Sequence, residues 1–245
     1  MAQALHKRGF RYFDAKQAQI RCHGHIVNLA VQAFMFSKDQ EAVEVAIKHA
    51  EETVEDKDLD IEDHMIANYK RASEEVWHEI GSLGKVHNLA VWLQTSNTRY
   101  NEFLELAKKM LTLDNNTQWN SWFKMLEITL ELQPHINTIL AKYYNKIKLD
   151  FLSPEDWWTL HNTYNFLQPF FRVTQETQGD FSTLDCTLYA MDFLISHFRK
   201  AEAKHAANPH LFSAIQTGWY AFDKYYSMTD SVTAYAAALL LSPNR

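Results

Sequence analysis

Apolar residues recur at helical spacing along most of this 245-residue chain. From His25 to Phe36 the positions Ile26, Leu29, Ala30, Ala33 and Phe34 fall on one stripe, the recurrence expected of an amphipathic helix. A long stripe runs from about His64 to Gln94 through Trp77, Ile80, Gly84, His87 and Val91. The run "SNTRYNEFLELAKKML" follows, with Ser96 or Asn97 placed to cap it. After the loop "TLDNNTQ" a helix is expected from Trp119 to about Leu132. Pro134 interrupts it by removing a backbone donor, and a continuation reaches about Tyr144. "LSPEDWW" holds the clearest start signal, with Ser153 as cap, Pro154 at the first helical position and Asp156 closing a capping-box pattern. Pro169 is expected to kink or split that helix. Thr183 to about Ala206 reads as amphipathic, burying Leu184, Leu188, Met191, Leu194, Ile195 and Phe198. Asn208-Pro209 opens another helix, and "VTAYAAALLL" forms a last short one that ends at Ser242-Pro243. Near the start, Met1 to about Gly9 reads as a short helix. Ala18 to Cys22 is the one strand candidate, with Ile20 and Cys22 on one face.

Composition sharpens this picture. Hydrophobic residues make up 47% of the chain, enough for a sizeable core, while Gly and Pro number only 6 and 5. Few turn-formers argue for long helices over many short strands. The formal net charge is −6, so any contact with nucleic acid must be local rather than a property of the whole surface. Two cysteines far apart give no disulfide framework and suit a reducing compartment. "MAQALHKRGF" lacks the apolar core of a signal peptide, and no apolar run is long enough to span a membrane. The stretch Glu51 to Asp63 holds eight acids and one lysine and reads as a solvated connector. It marks the clearest boundary. The expected organisation is a small α/β piece over residues 1–36, an acidic connector over 37–66, and an all-helical domain over 67–245. The fold class is mainly α.

Two stretches carry candidate chemistry. In "RCHGHIVNLAVQAF" a cysteine and two histidines precede an apolar helix. Zinc needs about four ligands, and Cys22 with His25, even joined by His23, is not matched by a second pair at metal spacing. A Cys–His nucleophilic pair requires both side chains within hydrogen-bond reach. The plainer reading is a buried cysteine and a histidine that helps to cap the helix. In "DNNTQWNSWFKML" Trp119 and Trp122 share one helical face near an N-terminus. A tryptophan there can stack on an unpaired base beside a phosphate held by the helix end, or simply fill a core. No Gly-rich phosphate loop and no catalytic motif of the G-x-S-x-G or H-E-x-x-H kind occurs.

Taken together, "RCHGHIVNLAVQAF", "GKVHNLAVWLQTS", "LDNNTQWNSWFKMLEITLEL", "LSPEDWWTLHNTYNFLQPF" and "TDSVTAYAAALLLSP" resemble, in that order, the hAT-superfamily DNA transposases, especially the fungal-type branch. The resemblance implies an RNase H-like catalytic core interrupted by a large helical insertion, so that residues 1–36 are a remnant of the core. It implies a nuclear protein that acts on transposon-end DNA. Strand transfer in the intact enzyme uses two Mg2+ or Mn2+ ions held by Asp, Asp and Glu. Cys22 and His25 match the family's C-x-x-H beside the cleaved DNA. Gln118 and Trp119 match its Arg-Trp pair, with Asn120 next to them in the same motif, and Gln118 lacks the arginine's phosphate-pairing charge. The family's zinc finger, metal-holding acids and dimerisation region have no match here. The resemblance therefore implies a transposase fragment with no catalytic residues, metal ligands or resident cofactor of its own. It also leaves open a domesticated or truncated helical module that binds DNA or intact transposase, and an inert relic.

Overall fold

The structure is a computed structural model that describes residues 20, 22–37, 81–113, 119–177, 183–229 and 232–241. Among these residues every regular element is a helix, so the protein is mainly α. The expected helix Met1–Gly9 and the acidic connector lie outside the described residues. So do Ala18, Gln19 and Arg21 of the strand candidate, while Ile20 and Cys22 belong to no regular element.

The helices are α1 (His23–Met35), α2 (Ser82–Gln94), α3 (Asn97–Ala107), α4 (Trp119–Glu131) and α5 (Gln133–Lys142). They continue with α6 (Pro154–Thr177), α7 (Leu184–His205), α8 (Pro209–Thr229) and α9 (Thr233–Leu241). Two single 3-10 turns, Tyr144–Lys146 and Lys148–Asp150, join α5 to α6.

These helices divide between two compact units, and the boundary falls inside α6, after Phe171. One unit holds the described residues of 20–37 and of 172–241; the other holds those of 81–171. This division differs from the expected single domain over 67–245, because α1 packs chiefly on α8.

In the first unit α1 buries Ile26, Val27, Ala30, Ala33 and Phe34, while α7 packs on α8 and α9. Gly218 on α8 lets α1 approach closely. A β-carbon there would lie 3.0 Å from the Ala30 carbonyl oxygen and 3.1 Å from the Phe34 Cβ. Asn208 opens α8 as expected, its Oδ1 accepting the Leu211 N–H at 2.9 Å.

In the second unit α2 packs on α3, on α4 and on the turn Lys148–Asp150, and α5 packs on α3 and α4. Pro134 sits in the first turn of α5, where its missing N–H costs nothing, and so it separates α4 from α5 as the sequence suggests. The start of α6 is the capping box read from "LSPEDWW". Ser153 Oγ accepts the Asp156 N–H at 3.1 Å, and Asp156 Oδ2 accepts the Ser153 N–H at 2.9 Å. Ser96 occupies the cap position of α3 but makes no side-chain cap bond. Of the expected kink or split at Pro169, the split does not occur: α6 runs unbroken to Thr177. Phe166, Leu167 and Phe170 around it are buried, and their packing holds the helical path across the missing bond. Among the described residues no helix is long and apolar enough to cross a membrane.

Candidate functional site

The corner at Cys22 is built by the start of α1. Cys22 has extended backbone angles and its carbonyl accepts the first helical bonds, from His25 N–H at 3.1 Å and Ile26 N–H at 3.2 Å. Cys22 makes no side-chain cap bond, and among the described residues His25 does not fill its expected capping role. The Cys22 thiol is exposed, not buried as the plainer reading had it, and His25 is half-buried.

The buried histidine is His23. Helical spacing places it on the stripe of Ile26, Val27 and Ala30, and neither ring nitrogen has a hydrogen-bond partner among the described residues. Burial pushes its pKa from 6.5 down to about 4, so the ring is neutral at physiological pH. Extending the apolar stripe of Ile26, Val27 and Ala30 one turn backwards identifies His23 as inward-facing.

The second stretch lies in the other unit. Trp119, the first residue of α4, is only 3% exposed. Its ring meets Phe123 and Phe171 edge-on, each with centroids 6.2 Å apart. Trp122 is equally buried and stacks with His87 at 5.8 Å. In this conformation neither indole is offered to solvent. Asn120 is half-buried, and its Oδ1 has no partner among the described residues. Gln118 lies outside the described residues, as does the loop Asp114–Thr117 before it.

A third cluster in the same unit was not read from the sequence. Trp92, at the end of α2, meets Tyr143 edge-on at 5.2 Å. The Arg99 guanidinium lies over Trp92 at 4.3 Å, and Lys142 and Lys146 lie 5.1 and 5.9 Å from the Tyr143 ring. Glu102 is the acid among them, accepting bonds from Lys142 at 2.6 Å and the Tyr143 hydroxyl at 2.7 Å. Those bonds hold the Glu102 carboxyl below the usual carboxylate range. The signal that could have found this cluster is "KYYNKIK", an alternation of lysine and aromatic residues.

Asp156 joins α6 to α2. Its oxygens accept bonds from Lys85 Nζ at 2.7 Å and Ser82 Oγ at 2.8 Å, besides those from Ser153. Partial burial would raise its pKa, but these donors together outweigh burial and lower it. This is an architectural hub.

The divalent ions that the resemblance implies need several converging carboxylates. Among the described residues no three His, Cys, Asp or Glu side chains gather to hold a metal ion. The described residues therefore do not fit a two-metal centre.

No curated protein and no solved structure matches the chain significantly. A family model described as the ZBED1 RNase-like helical domain does match, over residues 20–166, well over half of the chain. The matched span runs from the start of the Cys22 corner, through α1 to α5 and into α6. On that match the chain belongs to the ZBED1 RNase-like helical domain family, within the hAT/ZBED transposase-like group.

Proposed function

We propose that this chain is a DNA-binding helical module of a hAT-type transposase of the fungal-type branch, working in the nucleus as a holder of DNA rather than as the cutting centre. The family match over residues 20–166 carries this reading. The fungal-type motifs lend it support, and so does the availability of the Cys22 thiol at the corner where the family meets cleaved DNA. His25, half-buried one turn away, is the second contact proposed at that corner. Gln118, Trp119 and Asn120 are the contacts proposed at the start of α4. Since Trp119 is buried, stacking on an unpaired base requires the end of α4 to open first. Intact transposase, a multi-domain enzyme needing Mg2+ or Mn2+, is a further partner of this reading.

The test is binding of the full chain to labelled duplex DNA, followed by fluorescence anisotropy as salt is raised from about 50 to 200 mM. The expected result is binding that weakens steeply with salt, as counterion release demands. Absence of binding at the low end of that range would overturn the reading.

A further inference from the structure

We infer that duplex DNA lies against the Trp92–Tyr143 surface of the second unit, with Arg99, Lys142 and Lys146 taking its backbone phosphates. The inference rests on the DNA-binding reading above and adds the surface that does it.

The chain as a whole carries −6, yet among the described residues Arg99, Lys142 and Lys146 gather at one pair of touching rings, with Glu102 bonded to Lys142 and Tyr143. A local positive field on an acidic chain is what a confined nucleic-acid contact requires. Nothing in the overall composition would produce it.

The cations are also held in place. Arg99 Nε donates to the Trp92 carbonyl at 2.9 Å and one Nη donates to Thr95 Oγ1 at 3.1 Å. The guanidinium carbon lies over the indole at 4.3 Å, and its remaining donors are unengaged among the described residues. Arginine carries five N–H donors in a fixed fork, so a clamped guanidinium meets a phosphate with little further ordering cost. Lys142 closes α5 and Lys146 lies in the 3-10 turn that follows. Their ammonium groups both lie against the Tyr143 ring, which gathers two flexible stems at one place.

The rings themselves select the kind of partner. Trp92 and Tyr143 are only half-exposed and cover one another edge to face. They do not protrude as wedges for unstacked bases or for a lipid interface. They serve as platforms for cations, and a duplex backbone, with about one negative charge per 1.7 Å of axis, presents phosphates densely enough to meet all three.

Glu102 provides a test with an unusual sign. It draws Lys142 inward and cancels part of the field. Removing its charge should strengthen DNA binding, whereas a purely architectural cluster would gain nothing from the loss of its ion pair.

The experiment measures anisotropy of a labelled random-sequence duplex against salt, with circular dichroism confirming the fold of each full-length variant. Lys142→Gln/Lys146→Gln should weaken binding by about tenfold or more and lower the log–log salt slope by ~2, since each phosphate contact contributes ~0.9. Glu102→Gln should tighten binding several-fold. Lys200→Gln, the loss of one positive charge on α7, should leave the slope as in the wild type. If the folded double variant binds like the wild type with the same slope, this surface is wrong while the DNA reading survives. If Glu102→Gln weakens binding, the cluster acts through the fold and the inference fails. If the wild type binds no DNA, both readings fall together.

Discussion

Gly218→Ala tests the close approach of α1 and α8. In an open helical site this substitution stabilises by about 1 kcal/mol, because alanine loses less backbone freedom on folding. At Gly218 the new methyl would stand 3.0 Å from the Ala30 carbonyl oxygen, 3.1 Å from the Phe34 Cβ and 3.5 Å from a Phe198 ring carbon. The first two neighbours are rigid: one is backbone in the middle of α1, the other a β-carbon. Ala30, Phe34 and Phe198 are themselves almost fully buried, so none can move outward cheaply. Forcing a methyl into such a contact costs about 1–3 kcal/mol, and the propensity gain offsets roughly 1 of that. The expected outcome is net destabilisation of up to ~2 kcal/mol, and more for Gly218→Val, whose extra methyl groups have nowhere to go. Urea unfolding followed by far-UV circular dichroism should show a lower midpoint with an unchanged slope. A variant as stable as the wild type, or more stable, would mean that α1 and α8 do not approach this closely, and the placement of the Cys22 corner against α8 would fall with it.

Asp156→Ala removes a helix cap and strands the Lys85 and Ser82 donors, so it should cost ~2 kcal/mol or more by urea unfolding, with Asp156→Asn costing less. Because the Asp156 pKa is lowered in the folded state, its contribution is present above the ordinary carboxylate range and is lost as pH falls through the folded value. His23 acts in the same direction at higher pH. The unfolded chain takes up its proton near 6.5 and the folded one only near 4, so stability is intact above 6.5 and declines between the two. That gap is worth ~3 kcal/mol at 1.36 kcal/mol per pH unit, and a His23→Phe variant should show a flatter stability profile between pH 6.5 and 4. An unaltered profile would mean that His23 is not buried as described. Trp119→Ala should cost ~3–5 kcal/mol of stability as a buried aromatic, and a small cost would show the ring to be exposed. If the indole also stacks on an unpaired base, binding of DNA carrying one weakens by ~1–3 kcal/mol, and unchanged binding by the folded variant would eliminate that role.

Local signals in the sequence carried furthest where the physics is local. Ser153, Pro154 and Asp156 act within one turn, and Asn208 caps its own helix, so both starts were legible. Pro134 was legible for the same reason. At Pro169 the local rule left kink and split open; that α6 is not split there goes with the burial of Phe166, Leu167 and Phe170, packing that no local rule contains. Ser96 has the residue type of a cap and the position of one, yet its hydroxyl makes no cap bond. Gly218 gave no sign, since the need for a glycine comes from α1, far away in sequence. The Trp92–Arg99–Tyr143 cluster left only the mark of "KYYNKIK" in the sequence, since its three members meet only in the fold. Trp119 marks a different limit. Helical spacing places two tryptophans on one face but cannot say whether that face meets protein or nucleic acid; the rings of Phe123 and Phe171 answer for this conformation.

The two histidines of "CHGH" show how one register decides chemistry. Had α1 begun at His25, His23 would have shared the turn with Cys22, and a three-ligand cluster would have remained geometrically open. With the helix beginning at His23, that imidazole joins the apolar stripe of Ile26, Val27 and Ala30 and is kept neutral by burial. Cys22 stays outside the helix with its thiol in solvent, and His25 sits half-buried between them in exposure. A metal ion needs its ligands turned to one point, and a helix that directs one ligand into the core works against that. What the register leaves is an exposed thiol and a half-buried imidazole at a helix end, with a neutral histidine anchoring the turn from below. Among the described residues no group is hydrogen-bonded to the thiol, so a nucleophilic pair of Cys22 with His25 is not assembled in this conformation.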